Sequence, residues 1–119
     1  MMSAKIALCQ VQDFEHESVK KVAHPSKEGL NLVLIKNDQD FYAYHNICPH
    51  FSVQLDNAKG QFFTYDNQWI MCAHHSAMFE ISTGLCVDGP CKSSHLVQES
   101  VYVEDGNIYL QDCSKNMNI

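Results

Sequence analysis

Leu30-Asn31-Leu32-Val33-Leu34-Ile35-Lys36, Asn37-Asp38-Gln39-Asp40 and Phe41-Tyr42-Ala43-Tyr44-His45-Asn46 form one continuous stretch, and it predicts two antiparallel strands joined by a polar turn. The four apolar residues Leu32 to Ile35 are its strongest signal. The same logic extends outward. Lys5 to Val11 alternates, with Ile6, Leu8 and Gln10 on one side and Ala7, Cys9 and Val11 on the other. A second hairpin is expected from Gln61 to Tyr65, through Asp66-Asn67, to Gln68-Trp69-Ile70-Met71. A third joins Ser100–Val103 to Asn107–Leu110 across Asp105-Gly106, where glycine takes a positive φ without steric cost. No window holds a helical period of useful length; Phe14 to Lys21 is the nearest, and it is short. The expected fold class is all-β, short antiparallel strands in a sandwich or barrel. Two loops interrupt it, Cys48 to Gly60 and Cys72 to Pro90. Trp69, Phe62, Phe63, Tyr102 and Tyr109 fall at strand positions and are expected in the core.

The 119 residues suit a single domain spanning 1–119. With 45% hydrophobic and 18% charged residues, the composition is that of a globular protein and not of a disordered or fibrous one. Net charge is −6, and Lys20-Lys21 is the one basic pair, so nucleic acid is not an expected partner. The acidic balance serves solubility or steers the chain toward a basic protein. No stretch approaches the roughly 20 apolar residues that span a bilayer, and the start lacks a signal peptide's apolar segment. The expectation is a cytoplasmic protein without membrane association. In a reducing compartment the six cysteines are better read as metal ligands or thiols than as disulfides.

Chemistry gathers in the two loops. Asn46-Ile47-Cys48-Pro49-His50 holds a Cys-x-His pair, and Met71-Cys72-Ala73-His74-His75 a Cys-x-x-His pair. Each follows a predicted strand, so two loops launched side by side could hold a metal group between them. Soft thiolates suit iron–sulfur clusters, and neutral imidazole also binds iron. A [2Fe-2S] centre with two Cys on one iron and two His on the other has a higher potential than a four-Cys cluster. Its formal charge is about zero where four thiolates give about minus two, so an added electron costs less in a low-dielectric site. Two Cys and two His equally make a structural zinc site, and the four residues alone leave both readings open.

The surrounding residues separate them. Cys72-Ala73-His74-His75-Ser76-Ala77-Met78-Phe79-Glu80, followed by Thr83-Gly84 and Gly89-Pro90, resembles the second ligand box, polar turn and Gly-Pro loop of Rieske ferredoxins. Phe41 to His50 resembles the strand and first box of that family. The resemblance covers most of the chain. It implies the Rieske iron–sulfur fold with a two-loop cluster-binding part at about 46–91. It implies one [2Fe-2S] cluster ligated by Cys48, His50, Cys72 and His75. The function it implies is a soluble one-electron carrier, not a catalyst, between a flavin reductase and a terminal aromatic-ring oxygenase, with the carrier a monomer or weak oligomer. Two alternatives are a small Rieske-like subunit of an NAD(P)H nitrite reductase or other oxidoreductase, and a zinc-stabilised interaction module.

Departures from the family pattern refine this. Ala73 replaces the usual Pro and Ser76 the usual Gly, and 21 residues separate His50 from Cys72, a long gap assigned to the hairpin near Phe62-Phe63. Family spacing selects His75 over His74 as the ligand. Val53 and His74 occupy the positions where respiratory and photosynthetic relatives carry a disulfide. Ala77 and Phe79 stand where those proteins place Ser and Tyr hydroxyls against the cluster. Losing those hydrogen bonds puts the expected potential at the low end of the Rieske range, roughly −150 mV. Phe51, Leu55 and Met78 are expected to shield the cluster. Cys9, Cys86, Cys91 and Cys113 are read as thiols outside the ligand set, with Cys86 and Cys91 flanking the Gly-Pro loop. His16, His24, His45 and His95 have no ligand spacing and are read as ordinary.

Overall fold

The run Leu32–Ile35 is buried on both sides, which explains why it is continuously apolar instead of alternating. Val33 and Ile35 face one core with Tyr44, Ile70, Phe79 and Ile81. Leu32 and Leu34 face another with Phe14, Ala43 and Ile108. A sheet with a core on each face makes a three-layer molecule. The computed structural model describes residues 7–49, 53–66, 68–73, 77–89 and 92–111.

In chain order the strands are β1 (Ala7–Gln10), β2 (Val19–Ala23), β3 (Asn31–Asn37), β4 (Asp40–His45), β5 (Phe63–Tyr65) and β6 (Trp69–Met71). They continue as β7 (Met78–Glu80), β8 (Cys86–Asp88), β9 (Gln98–Glu99), β10 (Val101–Glu104) and β11 (Asn107–Leu110). The outer layer on one side is β1-β11-β10, the central sheet β2-β3-β4-β9, and the third β5-β6-β7-β8. Every pairing among the described residues is antiparallel. All three expected hairpins form, as β3–β4, β5–β6 and β10–β11. In the last, Asp105 and Gly106 both take positive φ, 54° and 78°, the conformation that suits a two-residue hairpin turn.

Phe14 to Lys21 is not helical. Val11–Phe14 forms a single 3₁₀ turn, and the chain then extends into β2, which pairs with β3 from Val19↔Ile35 to Ala23↔Asn31. Val19 packs into the core on one face and Val22 into the core on the other, so long-range pairing overrides a weak local signal. The segment Cys72 to Pro90 is likewise not all loop, because β7 and β8 form within it and extend the third sheet.

The expected aromatic core is displaced by strand parity. Among the described residues the buried aromatics are Tyr44, Phe79 and Phe14. Phe62 is half-buried and packs against the core as expected, whereas Trp69, Tyr102 and Tyr109 are half-buried and Phe63 is exposed. Ile70 and Ile108 take the inward positions on their strands, which turns the neighbouring aromatics outward. Tyr102 and Tyr109 pair across β10–β11 and stack at 5.4 Å.

Gly84 marks where the layers lock. Its φ is +79°, and a Cβ there would lie 2.7 Å from the Tyr44 ring. Tyr44 reaches from β4 to donate its hydroxyl to the Ile81 carbonyl at 2.5 Å. Burial pushes the Tyr44 phenol's pKa upward, so it remains a donor. The Thr-Gly of the ligand-box pattern is thus a tight turn seated on Tyr44. Thr83 Oγ1 braces it by donating to Glu80 and accepting from the Leu85 amide.

Candidate metal centre

Cys48 leaves the end of β4 and Cys72 the end of β6, and both are 0% exposed within one continuous core. Two backbone bonds close their loops. The Cys48 amide donates to Val53 at 2.6 Å, and the Cys72 amide to Ala77 at 2.8 Å. A third joins the loops to each other, from the Ala73 amide to the Leu55 carbonyl at 2.9 Å. Leu55 is buried in the same core as both thiols. Met78 lies on the outer face of the third sheet, half-buried. His50, His75, His74, Ser76, Phe51, Pro90, Cys91 and Cys113 lie outside the described residues.

Two side-chain networks hold this arrangement, and neither was visible in the spacing of the sequence. Asn46, 1% exposed, stands two residues before Cys48. Its carbonyl accepts from the Leu55 amide at 2.8 Å, and its amide donates to Asp56 at 3.0 Å and Gln54 at 3.2 Å. Lys21 of β2 completes the set with an ion pair to Asp56 at 2.7 Å. Burial opposes the Asp56 charge, but hydrogen bonds from Lys21 and Asn46 outweigh it and hold the carboxyl below its usual range. The only sequence hint was a polar residue set into the junction between a strand and a ligand pair.

The second network joins His24, His45 and Glu99. His45 lies 2.7 Å from a Glu99 carboxylate oxygen, His24 Nε2 lies 3.7 Å from it, and Lys27 Nζ is 4.0 Å away. These histidines are therefore partnered, not isolated. They do not make a second metal site. His24 Nδ1 accepts the amides of Ser26 and Lys27 at 3.0 and 3.1 Å. The neutral ring must then carry its proton on Nε2, which leaves no lone pair there for a metal. Burial keeps the ring neutral by lowering its pKa, against the pull of Glu99 and with Lys27 assisting.

Among the described residues no group of three or more His, Cys, Asp or Glu side chains is arranged to hold a metal ion. Two of the four expected ligands lie outside those residues. The donors that are described fit the thiolate end of an iron–sulfur cluster: two buried cysteines on loops tied together. Cys86 is buried nearby but donates its S–H to the Asp88 carbonyl at 3.3 Å, the behaviour of a core thiol. Gly89, at φ +102°, leans on the second box, and a Cβ there would lie 2.7 Å from Ala77 Cα. The glycine of the expected Gly-Pro loop is therefore needed for close approach.

Comparison with known proteins agrees with this architecture. The family model described as the Rieske [2Fe-2S] domain matches residues 4–109. Human apoptosis-inducing factor 3 is 30% identical over 105 residues, which cover 88% of this chain but only 16% of that protein. Ferredoxin CarAc of Metapseudomonas resinovorans is 27% identical over 105 residues, covering 88% of this chain and 91% of its own. Among solved structures, a ferredoxin of Sphingomonas yanoikuyae B1 superposes with a TM-score of 0.75 at 24% identity, covering 92% of this chain and 99% of that one. A chain from the complex of reduced oxygenase and oxidized ferredoxin in carbazole 1,9a-dioxygenase superposes at 0.72 and 24% identity, covering 89% and 91%. The structural likenesses speak to the fold, and the family match speaks to descent. With its buried thiols on two joined loops, the chain belongs to the Rieske [2Fe-2S] domain family, and a [2Fe-2S] cluster is its cofactor.

Proposed function

We propose that this chain is a soluble, cytoplasmic one-electron carrier that ligates its cluster through Cys48, His50, Cys72 and His75 and serves a flavin reductase and a terminal oxygenase. The observation that carries the reading is the pair of fully buried thiols on loops joined by the Ala73–Leu55 bond. When bound, a Rieske cluster supplies a reversible one-electron couple. Cys48 and Cys72 would hold its buried side, and His50 and His75 the outer side, where a ring N–H is free to exchange a proton as charge changes. Asn46 braces the first loop through Leu55 and Asp56, and Tyr44 anchors the turn that follows β7. The relatives favour an oxygenase partner: one is named a ferredoxin and is matched over 91% of its length, and a structural neighbour comes from an oxygenase–ferredoxin complex. Residues 1–119 form one domain in this reading, with the cluster-binding part at about 46–91.

Electron paramagnetic resonance of the dithionite-reduced protein tests it. The expected spectrum has the average g-value of mixed nitrogen and sulfur ligation. His75→Ala should abolish or alter that signal and His74→Ala should leave it. A colourless protein containing zinc and no iron would overturn the reading.

A second reading, a Rieske domain or subunit working inside a larger oxidoreductase, is favoured by the human relative, of which this chain spans 16%. Stable co-purification with a large catalytic subunit would select it.

A further inference from the structure

The third sheet has one buried face and one partly exposed face. Directly paired residues share a face, and Ile70 and Phe79 fill the inner one at 0% exposure. The registers Phe63↔Met71↔Met78 and Tyr65↔Trp69↔Glu80 form the outer one. Phe63 is 40% exposed and Tyr65 49%, and Trp69, Met71 and Met78 are half-buried. Five large apolar side chains on neighbouring strands make a contiguous patch, of a kind that marks interaction sites. Aromatics and methionine are also the residues enriched in interface cores.

Among the described residues that the strand register places beside this patch, the charged ones are acidic. Asp66 turns β5 into β6, Glu80 lies beside Trp69, and Asp88 pairs with Met78. From Gly60 to Gly89 the sequence has no lysine, and the whole chain has no arginine. Self-association through this face would bring acidic rims together, at a cost in electrostatic energy. A basic rim on a different protein would be complementary. The patch also runs up to the metal loops, because Met71 directly precedes Cys72 and Met78 directly follows Ala77.

We propose that the outer face of the β5–β6–β7 sheet docks a redox partner whose apolar contact patch is ringed by lysine or arginine. This rests on the electron-carrier reading. The acidic rim steers the approach, and the aromatic patch holds the complex.

Horse cytochrome c, a lysine-rimmed one-electron acceptor, serves as the probe, with ferricyanide as a small anionic control. Binding of the holo-protein to cytochrome c is measured by calorimetry at low salt. Electron transfer from the dithionite-reduced protein, which loses one electron as Fe(III) haem becomes Fe(II), is followed by stopped flow. Phe63→Ser with Tyr65→Ser should weaken binding and slow haem reduction by about tenfold, with the ferricyanide rate unchanged. Asp66→Asn with Asp88→Asn should flatten the salt dependence of the haem rate. Unchanged binding and haem reduction in the Phe63/Tyr65 variant would overturn the inference. Failure of the wild type to reduce ferricyanide would instead overturn the carrier reading, with the binding measurement still judging the face. A wild-type dimer in sedimentation that the same double substitution disperses would assign the face to a second copy and overturn the proposal.

Discussion

Asn46 joins the fold to the metal loops at a single residue. Its side chain satisfies the Leu55 amide and meets Asp56 and Gln54, all near the first ligand box. Asn46→Ala would strand a buried amide and part of a buried carboxylate. We expect a loss of about 2–3 kcal/mol, read as a lower denaturant midpoint with unchanged slope, together with reduced iron content. Ala77 and Phe79 give a second prediction at this scale. Both are fully buried and neither carries a hydroxyl, at positions where the family resemblance places hydrogen-bond donors to the cluster. The midpoint potential should therefore lie at roughly −150 mV, and Ala77→Ser should move it upward. A wild-type midpoint well above zero in protein-film voltammetry would contradict this. The resemblance singles out Cys48 and Cys72 because each lies in a local box, and the fold seats both in one buried core. Asn46 was not legible, because its role depends on Asp56 and Lys21, and Lys21 is 25 residues away on another strand.

Glu99 is where separate elements meet, since it lies on β9 and receives His45 from the end of β4 and His24 from just beyond β2. His24 is buried and its pKa is lowered, so the unfolded chain binds the extra proton first as pH falls. The stabilising contribution is complete above about pH 6.5 and is lost as pH falls through the lower folded value. Thermal denaturation across pH 5 to 8 should show this decline, and His24→Asn, which retains an acceptor for the Ser26 and Lys27 amides, should flatten it. Asp56 acts in the same direction at lower pH, its contribution being lost below about pH 4. Hairpins were the readable elements, since turn residues and alternation lie within a few positions of each other. β2 is not among the strands expected from the sequence, and β7 and β8 fall inside an expected loop. Their short runs become strands only through partners, β3 for β2, β6 for β7 and β7 for β8. The aromatic core was misjudged for a related reason: in a three-residue strand, parity decides which side chain is inward, and composition does not reveal parity.

Across the whole molecule, the three layers are not held equally by the metal loops. The core between the central sheet and β1-β11-β10 is built from Phe14, Leu32, Leu34, Ala43 and Ile108 and contains no expected ligand. The core under the third sheet contains Cys48 and Cys72 themselves. Chelating the iron should therefore loosen one layer and spare the others, because metal binding stabilises the structure that presents its ligands. Hydrogen exchange should show this as a gradient. In the apo-protein the amides of Cys48, Cys72 and Ala73, bonded to Val53, Ala77 and Leu55, should lose most of their protection. Amides in the β3–β4 ladder, from Leu32↔His45 to Lys36↔Phe41, should keep most of theirs, because they are covered on both faces by apolar side chains. Equal loss in both places would mean that the cluster organises the entire chain. Retained protection at Cys72 would mean that Asn46, Tyr44 and Gly89 suffice to preform the loops. The expected intermediate result follows from the layer order: a self-sufficient pair of sheets carries a third whose inner face is completed by the metal loops.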